Sequence, residues 1–124
     1  MAASSPQSTE TVVCLVTAPQ ADAHSIASVL VERRLAACVN VIPTVHSVYR
    51  WEGKVEQDEE ALLIVKTASA CVLQIDDLLR TVHPYDTFEL VALDIAGGSH
   101  SYLAWIAGSV DPRRDSAAPK HGVP

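Results

Sequence analysis

Residues 38–67 constrain the fold most, because they form one β-hairpin pattern that is too long for a small domain. The first arm, Val39 to Trp51, is rich in β-branched and aromatic residues. A break at Glu52-Gly53 precedes the second arm, which runs from Lys54 to Thr67. The glycine can take the positive φ of a tight turn without strain. An arm of about a dozen residues reaches roughly 40 Å, which exceeds the width of a domain of about 120 residues.

The overhanging part of this hairpin predicts an assembly surface. It carries four apolar or aromatic side chains: Val45, Val48, Tyr49 and Trp51. Left in water beside unpaired strand edges, they would form an aggregation template, so we expect another copy of the chain to cover them. Tyr49 and Trp51 are the expected anchors, because aromatic residues are enriched at interfaces. Pro43 cannot donate to a ladder and predicts a sheet edge or a bulge.

Composition limits the classes of partner. The chain of 124 residues is 48% hydrophobic and 19% charged, which fits one globular domain that hides part of its exterior in an oligomer. A net charge of −6 argues against nucleic acid or an anionic membrane as the main partner. We find no signal-peptide pattern and no membrane-length apolar run, and therefore expect a cytoplasmic protein without membrane insertion. Three cysteines without a C-x-x-C pair predict reduced, buried thiols.

The order of the predicted elements indicates an α+β fold. The elements are a strand Thr11–Thr17, a helix Gln20–Arg34, the hairpin, a helix Ala68–Val82, a strand Phe88–Ile95 and a short helix Ser99–Val110. This order is typical of a ferredoxin-like split βαβ sandwich with a four-stranded sheet and both long helices on one face. We expect sister subunits to cover the other face. The domain spans residues 11–110, between polar tails at 1–10 and 111–124 that we expect to be disordered or flexible.

Six motifs in register resemble the CutA family over residues 12–110. They are VTAP (16–19), RRLAACVNVIP (33–43), SVYRWEGK (47–54), LLIVKT (62–67), VHPY (82–85) and SYLAWI (101–106). The resemblance implies a ferredoxin-like homotrimer, similar to the PII signalling trimers. It also implies a role in tolerance of divalent cations, especially copper, with metal or a small ligand bound between subunits.

The resemblance also points to a metal site that this chain retains only in part. In family members linked to copper, the proposed ligands fall on Val16 and on the pair Val82-His83 of this chain. Only His83 keeps a ligand side chain. Cys14 precedes Val16 by two residues, so it shares the sheet face but is displaced by about 7 Å. We therefore predict no obligatory cofactor, and a weak site for Cu(II) or another divalent cation at His83, with Cys14 and Glu89 as co-ligands. Alternatively, His83 caps its helix as an imidazolium.

A second candidate site is a cleft lined by Lys66, Glu89 and Tyr85. Lys66 lies in an apolar strand, so its ammonium must pair or open into a cavity. Glu89, placed on the last strand, is the candidate partner; the pair is either a structural ion pair at a subunit boundary or part of an anion- or metal-binding cleft. Phe88 stands where the family has Pro and removes a fixed φ. The acidic run 56–60 is expected to be a solvated stretch beside the hairpin tip.

The sequence features suggest three possible functions. The favoured one is a CutA-like homotrimer acting in the response to divalent metal ions. The alternative is a PII-like signalling trimer that docks onto an unidentified protein partner, although the tight Glu52-Gly53 tip leaves no long loop for insertion. A hydrolase using Cys38 would need a basic neighbour and an orienting group, and neither can be identified from spacing. We therefore predict that the protein is not an enzyme.

Overall fold

The computed structural model describes residues 10–112, so nearly all of the two predicted tails lies outside the described residues. The elements are β1 (Thr11–Ala18), α1 (Gln20–Glu32), β2 (Cys38–Trp51), β3 (Lys54–Ala68), a 3₁₀ turn (Ser69–Cys71), α2 (Val72–Val82), β4 (Val91–Asp94) and α3 (His100–Ser109). No helix between residues 10 and 112 combines the length and the apolar character that a membrane crossing requires.

The sheet has the predicted ferredoxin-like arrangement. Its strand order is β2-β3-β1-β4, and all neighbouring pairs are antiparallel. Central β1 pairs with β3 along its whole length, but β4 covers only Val12 to Leu15 on its other side. Among the described residues, the edge of β1 beyond Leu15 therefore has no strand beside it on the β4 side.

The core lies between one face of this sheet and the first two helices. Side chains alternate across a strand, and every second residue of β1 is buried. Leu63 and Val65 of β3 pair with Val16 and Cys14, so they lie on the same buried face of the sheet. Fully buried helix residues close the core: Ile26 and Leu30 of α1, and Ile75 and Leu79 of α2. The opposite face carries Val91 and Leu93 of β4, 45% and 48% exposed, so one sheet face remains open in the single chain.

The long hairpin is confirmed. Its arms, β2 and β3, contain 14 and 15 residues, and the register slips between Ile42 and Val45, which places Pro43 in a bulge. Glu52 and Gly53 both have positive φ, at 51° and 83°, which fits a two-residue primed turn. The ladder between β1 and β3 ends at the pair Ala18 and Ala61. Residues 45–51 and 54–60, which we call the overhang, therefore form a two-stranded ribbon about 23 Å long.

The C-terminal end of α1 differs from the prediction. The helix stops at Glu32 instead of Arg34, because Arg34 adopts φ 61°. The amides of Arg34 and Leu35 then bond to the carbonyls of Val31 and Leu30, both at 3.0 Å. This is a Schellman motif with arginine in the position that glycine usually takes, and burial of Leu35 against Leu30 accompanies it. The two arginines predict a helix that extends to Arg34, but burial of Leu35 ends it earlier.

The last strand is shorter than predicted. It begins at Val91 instead of Phe88, so Glu89 lies in the preceding loop and the prediction that placed it on the strand was wrong. The physical reason is that Phe88 packs towards the core and stacks on His83 instead of joining the ladder. The two remaining helices also differ slightly from their predicted bounds, because Ala68 still belongs to β3 and Ser99 is the N-cap of α3.

Candidate functional site

His83 follows the last residue of α2 and connects that helix to β1. Its backbone N–H, and not its ring, bonds to the Leu79 carbonyl at 2.8 Å. The ring donates from Nε2 to the Thr17 carbonyl at 2.8 Å, on the stretch of β1 beyond the end of β4. Nδ1 accepts the backbone N–H of Tyr85 at 3.1 Å. These two bonds assign the neutral Nε2–H tautomer, so the ring does not act as the imidazolium cap that the sequence allowed.

Two aromatic rings enclose this imidazole. Phe88 stacks on it with ring centroids 5.2 Å apart, and Tyr85 lies tilted against it at 5.0 Å. His83 is only 7% exposed as a result. The Phe88 ring thus holds the loop before β4 against His83. Both ring nitrogens of His83 are hydrogen-bonded to the backbone, so a metal ion would have to displace one of these hydrogen bonds.

The predicted co-ligands do not gather around His83. Cys14 is fully buried on the helix-facing side of the sheet, and burial, with a contribution from Cys71, raises the pKa of the Cys14 thiol to about 11. A thiol that stays protonated is a poor metal ligand, because the thiolate is the binding form. Within residues 10–112, no group of three or more His, Cys, Asp or Glu side chains could hold a metal ion. The described side chains of one chain therefore do not fit a Cu(II) site, which needs three or four donors.

Lys66 is hydrogen-bonded to a neutral side chain instead of a carboxylate. Its Nζ donates to Oδ1 of Asn40 on the adjacent strand, and Glu89 lies exposed in the loop before β4. Tyr85 packs on the ring of His83, which bonds to the Thr17 carbonyl. Lys66 instead pairs with Val13, four residues or about 13 Å from Thr17 along β1. One chain thus does not bring Lys66 and Tyr85 into one cleft.

Cys38 has neighbours that sequence spacing did not reveal. It lies opposite Lys66 in the ladder between β2 and β3. Burial, followed by the Cys38 thiol, raises the pKa of the Tyr102 phenol of α3. A basic neighbour is therefore present, but the structure records no imidazole or carboxylate in contact with this thiol within residues 10–112. The arrangement lacks the base and orienting group that nucleophilic catalysis requires.

The overhang exposes the predicted interface residues. Trp51 is 50% exposed, Val48 65% and Tyr49 39%, whereas Val45 is half-buried. Tyr49 donates to the carboxylate of Asp58, and this hydrogen bond is the main reason why its pKa is raised to about 12. The bond fixes the aromatic ring across the ribbon. The overhang thus presents an ordered apolar surface.

Comparison with known proteins agrees with this structure. A family model described as CutA1 divalent ion tolerance protein matches residues 12–109. Protein CutA of Homo sapiens is 45% identical over 94 residues, which cover 76% of this chain but only 52% of the human protein. The divalent-cation tolerance protein CutA of Thermus thermophilus is 46% identical over 95 residues, covering 76% of this chain and 92% of that protein.

Solved structures give the same result. The divalent cation tolerance protein (Cut A1) of Thermus thermophilus superposes with a TM-score of 0.80 at 43% identity. The match covers 82% of this chain and 99% of the other. CutA1 of Oryza sativa superposes with a TM-score of 0.79 at 39% identity, covering 84% and 98% of the two chains. On the family match, the identities and the shared fold, this chain belongs to the CutA1 divalent ion tolerance protein family.

Proposed function

We propose that this protein is a cytoplasmic homotrimer that acts in the response to divalent metal ions, copper among them. The overhang carries this proposal. A two-stranded ribbon is marginal in water, yet this one extends about 23 Å beyond the sheet and exposes half of the Trp51 side chain. A closed ring of three copies would cover each overhang and leave no free strand edge.

The open sheet face supports the same assembly. By the strand register, Val13 and Leu15 of β1 share this face with Leu93 and Val91 of β4. Lys66 also lies on it, opposite Cys38, and donates to the side-chain amide of Asn40. Contiguous apolar surface beside a cation held by a neutral group is typical of a surface that another subunit completes.

The role in metal response does not require a tight site in each chain. The donor set of one chain does not fit Cu(II), because both His83 nitrogens are bonded to the backbone and Cys14 is buried. We therefore propose that metal binds weakly, or that a small ligand binds in the clefts between subunits. The tight Glu52-Gly53 tip gives no support to the PII-like alternative, which relies on a long insertion loop.

Growth under metal stress tests this function. Wild-type protein and the Trp51→Glu variant are produced in a bacterial strain that lacks its own CutA-type gene, and growth is measured across a Cu(II) series. We expect the wild type to raise the tolerated concentration and Trp51→Glu to lose this effect. Trp105→Glu, at a tryptophan 48% exposed on α3, is the matched control and should retain it. Growth that is unchanged by the wild-type protein under Cu(II), Zn(II) and Cd(II) would contradict the proposal.

A further inference from the structure

The overhang leaves the sheet at the β-bulge in β2. The ladder between β2 and β3 is regular up to Ile42 and resumes at Val45. Pro43 and Thr44 lie between these two positions and together face the single residue Ala61 of β3. An extra residue of this kind bends a strand and changes the face to which the following side chains point. The direction of the overhang is therefore determined at residues 43–44.

The bulge also decides which face carries the aromatic side chains of the overhang. Directly paired residues of antiparallel strands point to the same face, and side chains alternate along each strand. Tyr49 pairs with Glu56, and Trp51 pairs with Lys54. Both partners are an even number of residues from Lys66, which lies on the open sheet face. Without the extra residue in β2, the alternation would point Tyr49 and Trp51 to the helix-facing side instead.

Gln20, the first residue of α1, contacts this bulge from outside the hairpin. Its Nε2 donates to the Pro43 carbonyl and to Oγ1 of Thr44, both at 2.8 Å. The N-cap of α1 is Pro19, and within the described residues no side-chain hydrogen bond caps this end of the helix. Because β3 lies between β1 and β2 in the sheet, the two bonds connect the segment after β1 to β2 across a whole strand. One amide group thus binds two consecutive residues of the bulge.

This contact lies where the sheet narrows from three strands to two. The ladder between β1 and β3 ends at the pair Ala18 and Ala61, and Ala61 is also the residue opposite the bulge. Beyond it the ribbon is held by its own ladder and extends about 23 Å. A rotation of about 15° at its base would move its tip by about 6 Å. Apolar side chains lose contact when they separate by more than about 4.5 Å, so a change of this size would displace Trp51 from an interface.

We propose that Gln20 is a positioning residue for assembly. Its two hydrogen bonds fix the bulge at Pro43-Thr44 and thereby the angle at which the overhang meets a neighbouring copy. The effect on assembly rests on the homotrimer proposed above, whereas the effect on the direction of the overhang does not. Gln20 is exposed, and hydrogen bonds in water contribute little net stability, so its role is to set a direction.

Three substitutions in the full chain test this role. Gln20→Met keeps the length of the side chain and removes both N–H donors. Thr44→Val keeps the shape of that side chain and removes one of the two acceptors. Ser25→Ala is the matched control, because it removes an exposed hydrogen bond within α1 itself, from Oγ to the Asp22 carbonyl at 3.0 Å. Circular dichroism checks that each variant folds.

Two measurements separate direction from assembly. Residual dipolar couplings of backbone amides report the direction of the overhang relative to the rest of the sheet. They are measured in the Trp51→Glu background, in which we expect no neighbouring copy to hold the overhang. Oligomer dissociation is followed in the Trp51 background by light scattering over a dilution series, and urea midpoints are measured at one fixed protein concentration.

The proposal predicts a local change in direction and a weaker oligomer. Gln20→Met should change the couplings of residues 45–51 and 54–60 and leave those of residues 11–18 and 61–67 within experimental error. It should also raise the concentration at which half of the oligomer dissociates by roughly tenfold or more. Thr44→Val should produce a smaller change in the same direction, and Ser25→Ala should match its parent in both measurements.

Three outcomes overturn the proposal. Couplings of the overhang that are unchanged by Gln20→Met would show that this residue does not set the direction. Changed couplings with unchanged dissociation of a wild-type oligomer would remove its role in assembly. A lower urea midpoint without either change would make the two bonds a purely structural contact. A monomeric wild type would defeat the homotrimer, whereas the couplings would still decide whether Gln20 fixes the bulge.

Discussion

Replacing His83 by Ala should lower the free energy of unfolding by about 3 kcal/mol. The change removes the bond to the Thr17 carbonyl and the bond from the Tyr85 amide, each contributing about 1 kcal/mol. It also removes ring contacts with Phe88 and Tyr85, which contribute roughly another 1 kcal/mol. His83→Phe separates the two effects, because it keeps an aromatic ring and loses both hydrogen bonds, for an expected cost of about 2 kcal/mol.

Urea denaturation at one fixed protein concentration measures these differences, since subunit association also affects the midpoint. His46→Ala is the control. Its side chain is 75% exposed and 3.8 Å from Glu59, so its loss should change stability by no more than about 0.5 kcal/mol. If His83→Ala cost less than about 1 kcal/mol, or if His83→Phe matched the wild type, the bridging role assigned to this imidazole would be wrong.

Three further predictions concern assembly, pH and metal. Trp51→Glu should weaken the oligomer more than Trp105→Glu, because only Trp51 lies on the overhang. Gel filtration over a dilution series measures this difference, and equal effects of the two substitutions would contradict the prediction. Cys14 has a reference pKa of 9.0 and a folded-state value of about 11, so the unfolded thiol ionises first and stability should fall as pH rises from about 9 to about 11. Urea midpoints at pH 8 and pH 10 should show a smaller fall in Cys14→Ala; an equal fall would refute the assignment. Calorimetric titration at pH 7 should give Cu(II) binding no tighter than roughly micromolar, and a stoichiometric nanomolar site would show that ligands from several chains converge.

The sequence predicts the elements that local chemistry determines. The two arms of the hairpin, its turn at Glu52-Gly53 and the irregularity at Pro43 follow from side-chain type and the missing amide of proline. Element ends that depend on tertiary contacts were missed. Arg34 enters the left-handed region because Leu35 is buried beyond it, and β4 starts late because Phe88 packs on His83.

In the candidate sites, too, the sequence predicts what local chemistry determines but not what tertiary contacts determine. The sequence indicates that Lys66 needs a partner, since a cation in an apolar strand cannot remain alone. It does not reveal that the partner is Asn40, because strand register decides which side chains meet. The acidic run predicts a solvated Glu60, and only the folded structure shows that this residue is 7% exposed. The pattern of charges along a chain does not report burial.

The mass of the protein in solution tests the central claim most directly. Gel filtration coupled to light scattering at micromolar concentration should give about three times the 13.3 kDa of the chain. That mass would mean that the overhang and the open sheet face are covered by sister subunits. A stable species with the mass of a single chain would leave Val48 and Trp51 in water and would contradict the assembly on which the proposed function rests.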